Sequence, residues 1–185
     1  VEFYQNALAA GVKPILGCEI YLAPASLNDK KEVPGRKNST HLTLLAKNET
    51  GWKNLVKLVT IGHLEGEYLG EPRVDREHLA EYAEGLICLS GCIHGAVNEW
   101  LHQNDIRAAQ KEVLALCDIF GKDDVYLELN VQGLEAQQEI NMQLKRFSED
   151  FGLKMMATNY VHFLGKEDAE AQDVLLSVGK GKLLL

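Results

Sequence analysis

Four cysteines in 185 residues, Cys18, Cys88, Cys92 and Cys117, are too few and too scattered for a disulfide framework. Their scarcity points to a reducing cytoplasm. Basic charge is also short: 19 Lys and Arg stand against 27 Asp and Glu, for a formal net charge of −8. A nucleic-acid binder usually shows a basic face, so this chain is not expected to be a main DNA-gripping surface. No apolar run approaches the ~20 residues of a membrane span, and the opening Val1-Glu2-Phe3-Tyr4-Gln5 lacks the basic head and apolar body of a secretion signal. No initiator Met is present, and the chain reads as a piece of something longer. No Gly-x-Gly-x-x-Gly follows the first predicted strand, which removes support for a dinucleotide site, and no internal repeat is visible.

What is present is a rhythm. Apolar content of 46% supports a sizeable core, and the length suits one domain over 1–185. A helix is predicted from Phe3 to Ala10, ended by Gly11. A strand follows over Ile15–Leu22, a polar loop with a basic excess (Lys30, Lys31, Arg36, Lys37) over 23–39, and a strand over His41–Ala46. The helix Trp52–His63 carries Trp52, Leu55, Val56, Val59 and Thr60 at helical spacing, as a core-facing stripe would. A loop over 66–73 leads to a helix with Asp75 as N-cap, running to Tyr82. Strands are predicted over 85–89, 125–129 and 154–158, and helices over 105–120, 137–151 and 168–178. Five alternations of strand and helix predict parallel β/α units, in a barrel or an open doubly wound sheet.

Four potential metal ligands fall where predicted strands begin or end: Glu19, His41, Cys92 and His162. Strand ends at one rim of an α/β barrel converge on a site. Carboxylate, imidazole and thiolate together suit divalent cations, the thiolate favouring a softer one. Taken singly each has a plainer reading: a surface Glu, a hydrogen-bonded core His, a buried free Cys. Cys88-x-x-x-Cys92-x-His94 looks like half of a zinc site but lacks a second pair. Cys18 and Cys117 are assigned to the core, and His63, His78, His94 and His102 to surface or packing positions on or near helices. The basic loop reads as a solvated face rather than a phosphate contact.

The stretches Gly11–Pro24, His41–Leu55, Val125–Leu129, Ala157–Leu164 and Glu167–Leu176 together resemble the PHP (polymerase and histidinol phosphatase) domain of bacterial replicative DNA polymerase III alpha subunits. The likeness covers nearly the whole chain. It implies a distorted, TIM-like, seven-stranded β/α barrel, incomplete here because the family's first strands and first four ligands would lie before Val1. It maps the later family ligands onto Glu19, His41, Cys92 and His162, with Tyr160 where metal-competent relatives carry Asp. A neutral phenol is a poor replacement for an anionic oxygen on a divalent cation. Val131-Gln132 stands where many relatives have Asp-His, and no ligand role is assigned to it.

The resemblance implies a parent that is a DNA-directed DNA polymerase, meeting DNA through its other domains, with other replicase subunits as partners. In metal-competent relatives this domain binds zinc, manganese or magnesium and acts as a 3′–5′ exonuclease, by metal-assisted attack of water on phosphorus. In others it supports the polymerase and docks a separate proofreading exonuclease subunit. Tyr160 favours the supporting role, and the chain alone is expected to be inactive. A standalone PHP phosphatase acting on a small phosphoester is the alternative.

Overall fold

The computed structural model describes residues 1–30, 38–159 and 161–181. The elements run α1 (Glu2–Ala9), β1 (Gly17–Leu22), β2 (Thr40–Ala46), α2 (Glu49–Leu64), β3 (Glu67–Tyr68), β4 (Glu71–Val74), α3 (Arg76–Glu81), β5 (Leu86–Leu89), α4 (Ala96–His102), α5 (Ile106–Phe120), β6 (Val125–Asn130), α6 (Glu135–Phe151), β7 (Lys154–Thr158) and α7 (Ala169–Lys180). The strands form one seven-stranded sheet in the order β3-β4-β1-β2-β5-β6-β7. The sheet is mixed and open, as an incomplete barrel of this class would be.

The parallel rhythm holds for only part of it. β5, β6 and β7 are parallel neighbours, and β1 pairs parallel with β4. β2, however, runs antiparallel to both β1 and β5. A parallel pair needs a crossover, usually a helix. The described residues between β1 and β2 hold no helix, so the chain turns back beside itself. Lys31, Arg36 and Lys37 of the basic loop lie outside the described residues, while Lys30 donates from Nζ to the Glu67 carbonyl at 3.2 Å.

Successive side chains on a strand point to opposite faces. One face carries Ile20 and Leu22, Leu42 and Leu44, Leu86 and Cys88, Val125 and Leu127, all buried in the core cluster. Leu58, Leu79, Leu116, Leu144 and Phe147 of the helices pack against them, and each fully buried side chain of this kind contributes about 1.5–3 kcal/mol. The other face carries Glu19 and Tyr21 of β1, paired across from Thr43 and His41 of β2.

Three local expectations change. The buried stripe of α2 is Gly51, Leu55, Leu58 and Gly62, whereas Trp52 and Val56 are exposed. Gly51 sets that rotation: a Cβ there would lie 1.8 Å from the Gly85 carbonyl oxygen, so only glycine lets the helix approach so closely. The loop expected over 66–73 contains the β3–β4 hairpin. Its turn residues Leu69 and Gly70 both have positive φ, 54° and 85°. That backbone normally advertises itself as Asn-Gly or Asp-Gly, and Leu69 hides it. Helix α4 had no counterpart in the sequence reading, because its N-cap is Gly95 and offers no side-chain hydrogen bond.

Candidate metal centre

Glu19 and His41 lie on the same face of neighbouring strands, one diagonal apart in the register Tyr21↔His41, Glu19↔Thr43. Side chains so placed are within reach of each other: Glu19 Oε1 is 3.2 Å from His41 Nδ1. The loop after β5 brings in the third group. Cys92 Sγ is 3.7 Å from the same His41 Nδ1. One ligand atom from each of Glu19, His41 and Cys92 falls within 4.8 Å of the other two. Cys92 is buried, His41 partly buried, and the Glu19 side chain keeps 42% of its exposure, so the cluster opens to solvent on the Glu19 side.

The Ser90–Gly95 loop is held on all sides. Ser90 N donates to the Tyr126 carbonyl at 2.9 Å, and Glu128 N donates to Ser90 Oγ at 2.9 Å. Asn98, buried on α4, donates from Nδ2 to the carbonyls of Gly91 (3.2 Å) and Cys92 (2.8 Å). His94 N points at Cys92 Sγ, 3.5 Å away. His41 N donates to the His94 carbonyl at 3.0 Å, so the loop is tied to the strand that carries His41. The two glycines are required: Gly91 has φ of 90° with the His41 carbonyl oxygen 2.6 Å from where a Cβ would sit, and a Cβ on Gly95 would stand 2.4 Å from the Ser90 carbonyl oxygen.

The electrostatics follow from this packing. The hydrogen bond His41 gives to Cys92, then the one it gives to Glu19, raises its imidazole to about 9 against the opposing effect of burial. Glu19 is lowered, chiefly by its hydrogen bond with His41, against burial, with help from the charges of His41, His162 and His94. The pair is an imidazolium facing a carboxylate. A cation competes with that ring proton for the same donor atoms. Carboxylate, imidazole and thiol converging on one point are a donor set that fits a divalent ion, and the sulfur leans toward a softer one.

The other sequence candidates fall as follows. His162 is not in the triad, yet its charge bears on Glu19. It lines an open groove of about 580 Å³ with Gln132, Asn159, Phe163 and Asp173. Tyr160 lies outside the described residues. Gln132 holds main chain, donating from Nε2 to the Asn159 carbonyl at 3.0 Å. Cys88 separates from Cys92: it faces the helices, and burial pushes its thiol far up, so it is no thiolate ligand. His94, assigned above to surface or packing, is exposed and sets its ring edge-on to His41, with centroids 5.8 Å apart. Asn98 gave no signal, since its role exists only once α4 crosses behind the loop.

A PHP domain family model matches residues 1–132. The chain belongs to the PHP domain family. Similar proteins include DNA polymerase III subunit alpha of Borreliella burgdorferi, 43% identical over 181 residues, covering 98% of this chain and 16% of that protein. The protein of the same description from Thermus aquaticus is 45% identical over 179 residues, 96% of this chain and 14% of the relative. That from Aquifex aeolicus is 37% identical over 188 residues, 99% of this chain and 16% of the relative. The PHP chain therefore spans about one-sixth of the length of these curated relatives. Among its described residues no helix is long and apolar enough to cross a membrane.

Proposed function

We propose that this chain is the PHP region of a replicative DNA polymerase alpha subunit, and that Glu19, His41 and Cys92 hold a divalent cation in it. The observation that carries the reading is the 43–45% identity to DNA polymerase III alpha subunits along almost the whole chain. The parent would perform template-directed DNA synthesis in the cytoplasm, with the polymerase chemistry and the DNA contacts in its other domains. The role of the PHP region is to support that polymerase and to dock other replicase subunits, a proofreading exonuclease among them. Tyr160, where metal-competent relatives carry Asp, supports this role over a hydrolytic one.

Zinc fits the donor set better than manganese or magnesium, which prefer oxygen ligands. A bound cation would supply charge to polarise a phosphoryl oxygen. The chain's own residues do the rest: Glu19 keeps an anionic oxygen at the solvent side, His41 bridges it to Cys92, and Asn98 fixes the loop that carries the sulfur. The second reading is a metal-dependent 3′–5′ exonuclease, favoured by the half-exposed Glu19.

The test is metal analysis of the purified full-length parent protein, paired with digestion of 5′-labelled single-stranded DNA. The supporting role predicts bound zinc and intact DNA. Metal-dependent shortening from the 3′ end would replace it with the exonuclease reading. Turnover of a small phosphoester with DNA left intact would favour the phosphatase.

A further inference from the structure

We propose that Thr158 and Gln132 are positioning residues for His162: together they fix the direction in which the chain leaves β7, and so hold that imidazole at the rim where Glu19, His41 and Cys92 converge. This rests on the reading of the rim as a cation site, and adds how a side chain four residues beyond the sheet is kept there.

The topology puts Thr158 at the right end of the sheet. β5, β6 and β7 are parallel, so Thr158, the last residue of β7, stands at the same rim as the loop after β5 that carries Cys92. In the register Glu128↔Met156, Asn130↔Thr158, the side chains of Glu128, Asn130 and Thr158 share one face. It is the face of Glu19 and His41, opposite the core side chains Val125 and Leu127. His162 follows four residues after Thr158, and its charge bears on Glu19.

Two sets of hydrogen bonds pin the exit. In the first, Asn130 Nδ2 donates to Thr158 Oγ1 at 2.6 Å, and Thr158 Oγ1 donates to Glu128 Oε1 at 2.5 Å. An amide nitrogen only donates, so the hydroxyl must accept from Asn130 and spend its proton on Glu128, which leaves it one orientation. Glu128 is buried, and its other oxygen has no partner among the described residues. For stability alone a buried carboxylate with an idle oxygen is a costly choice. For aiming one hydroxyl it is a strong one, since a hydrogen bond to a charged oxygen is about twice as strong as a neutral one. In the second set, Gln132 Nε2 donates to the Asn159 carbonyl at 3.0 Å. Gln132 is itself held by the buried Gln137, whose Nε2 donates to Gln132 Oε1 at 2.7 Å and whose Oε1 accepts from Gln132 N at 3.3 Å. Val131-Gln132, singled out in the sequence without a ligand role, thus acts through main chain.

Residues 158 and 159 are therefore anchored, one by side chain and one by carbonyl. Three further steps of chain reach His162, at most about 10 Å, and His162 lines one groove with Gln132 and Asn159. An imidazole on an anchored chain meets a cation at the rim without first being gathered there. On a loose chain the same ring must lose its freedom on binding, and affinity falls by that cost.

The experiment uses the full-length parent protein and reads two quantities. One is zinc affinity by competition. The other is the rate at which diethyl pyrocarbonate modifies His162, mapped by mass spectrometry with and without zinc. Thr158→Val keeps the shape and removes the hydroxyl; Gln132→Met removes the amide. Each should weaken zinc binding by ~10–100-fold and abolish the protection that zinc gives His162. Thr158→Ser keeps the hydroxyl and should keep both. In a His162→Gln background Thr158→Val should cost nothing further, as expected of residues that act as one unit. Should Thr158→Val fail to fold, Gln132→Met carries the test, because residue 132 is exposed. Undiminished affinity in both variants, or an equal loss with and without His162, would overturn the assignment. Zinc that binds, is lost in Cys92→Ser, and never protects His162 would overturn it too while leaving the triad standing. A parent that binds no zinc would bring down the triad reading and this role with it.

Discussion

At the scale of single residues, buried polar side chains organise this molecule. Asp75 is almost fully buried and accepts from Leu27 N (2.9 Å), from His78 N (3.1 Å) and pairs with the His78 ring (2.7 Å). Burial pushes its carboxyl up, but the hydrogen bonds from Leu27 and His78 and the charge of His78 bring the net value down. A depressed folded value means stability that is present above the ordinary Asp range, ~3.9, and lost as pH falls through the folded value. Asp75→Asn is expected to cost about 1–3 kcal/mol at pH 7 and to flatten the acid limb, as urea melts at pH 7 and pH 3 would report. Asn98 is the second case. Asn98→Ala removes both donors to the Cys92 loop and should destabilise by about 1–3 kcal/mol. It should also weaken zinc binding by the full-length protein by ~10–100-fold.

At the scale of elements, three helices were legible because their starts are written in side chains. Asn48, Asp75 and Asp105 accept from Gly51 N, His78 N and Ala108 N, and each was a polar residue ahead of an apolar pattern. The elements missed were those whose ends are written in backbone: α4 after Gly95, and the hairpin at Leu69-Gly70. Leu69 adopts φ of 54° with a side chain 65% exposed, so it meets the steric cost of a left-handed conformation without a packing return. Leu69→Asn should relieve it and stabilise the fold by about 1 kcal/mol, seen as a rise of about 2–4 °C in Tm by calorimetry. The α2 stripe was misread by one position because periodicity ranks Trp52 as core, whereas the glycine that permits close approach decides which side faces the sheet.

At the scale of the whole molecule, sheet direction was the least legible property. The rhythm of apolar runs does not record which way a strand points, and nothing in His41–Ala46 distinguishes a parallel neighbour from an antiparallel one. The candidate residues were nonetheless visible one at a time, since Glu19, His41 and Cys92 are chemically unusual beside apolar runs. Their convergence was not, because it depends on that direction. The same openness leaves surface uncovered among the described residues: Phe3 and Leu8 of α1, Leu175 and Val178 of α7, and the outer edge of β7, the last strand of the sheet. Apolar patches and free strand edges promote association. The isolated chain should therefore show light-scattering mass that climbs with concentration, and Ala157→Lys on β7 should lower that climb.

The reversal at β2 has a mechanical consequence. His41 is the second residue of β2, while Cys92 lies just beyond the end of β5; had β2 run parallel to β5, those two residues would sit at opposite rims, about 20 Å apart for a seven-residue strand. Running backwards, β2 delivers His41 to the rim where the other two wait. An ion gripping all three would act as a rivet through β1, β2 and the β5 loop, and a slip of the β1–β2 ladder by one side-chain repeat would drag His41 about 7 Å away from Glu19. Loading the site should therefore slow amide hydrogen exchange along β1 and β2 far more than along β6 and β7, which the rivet does not cross.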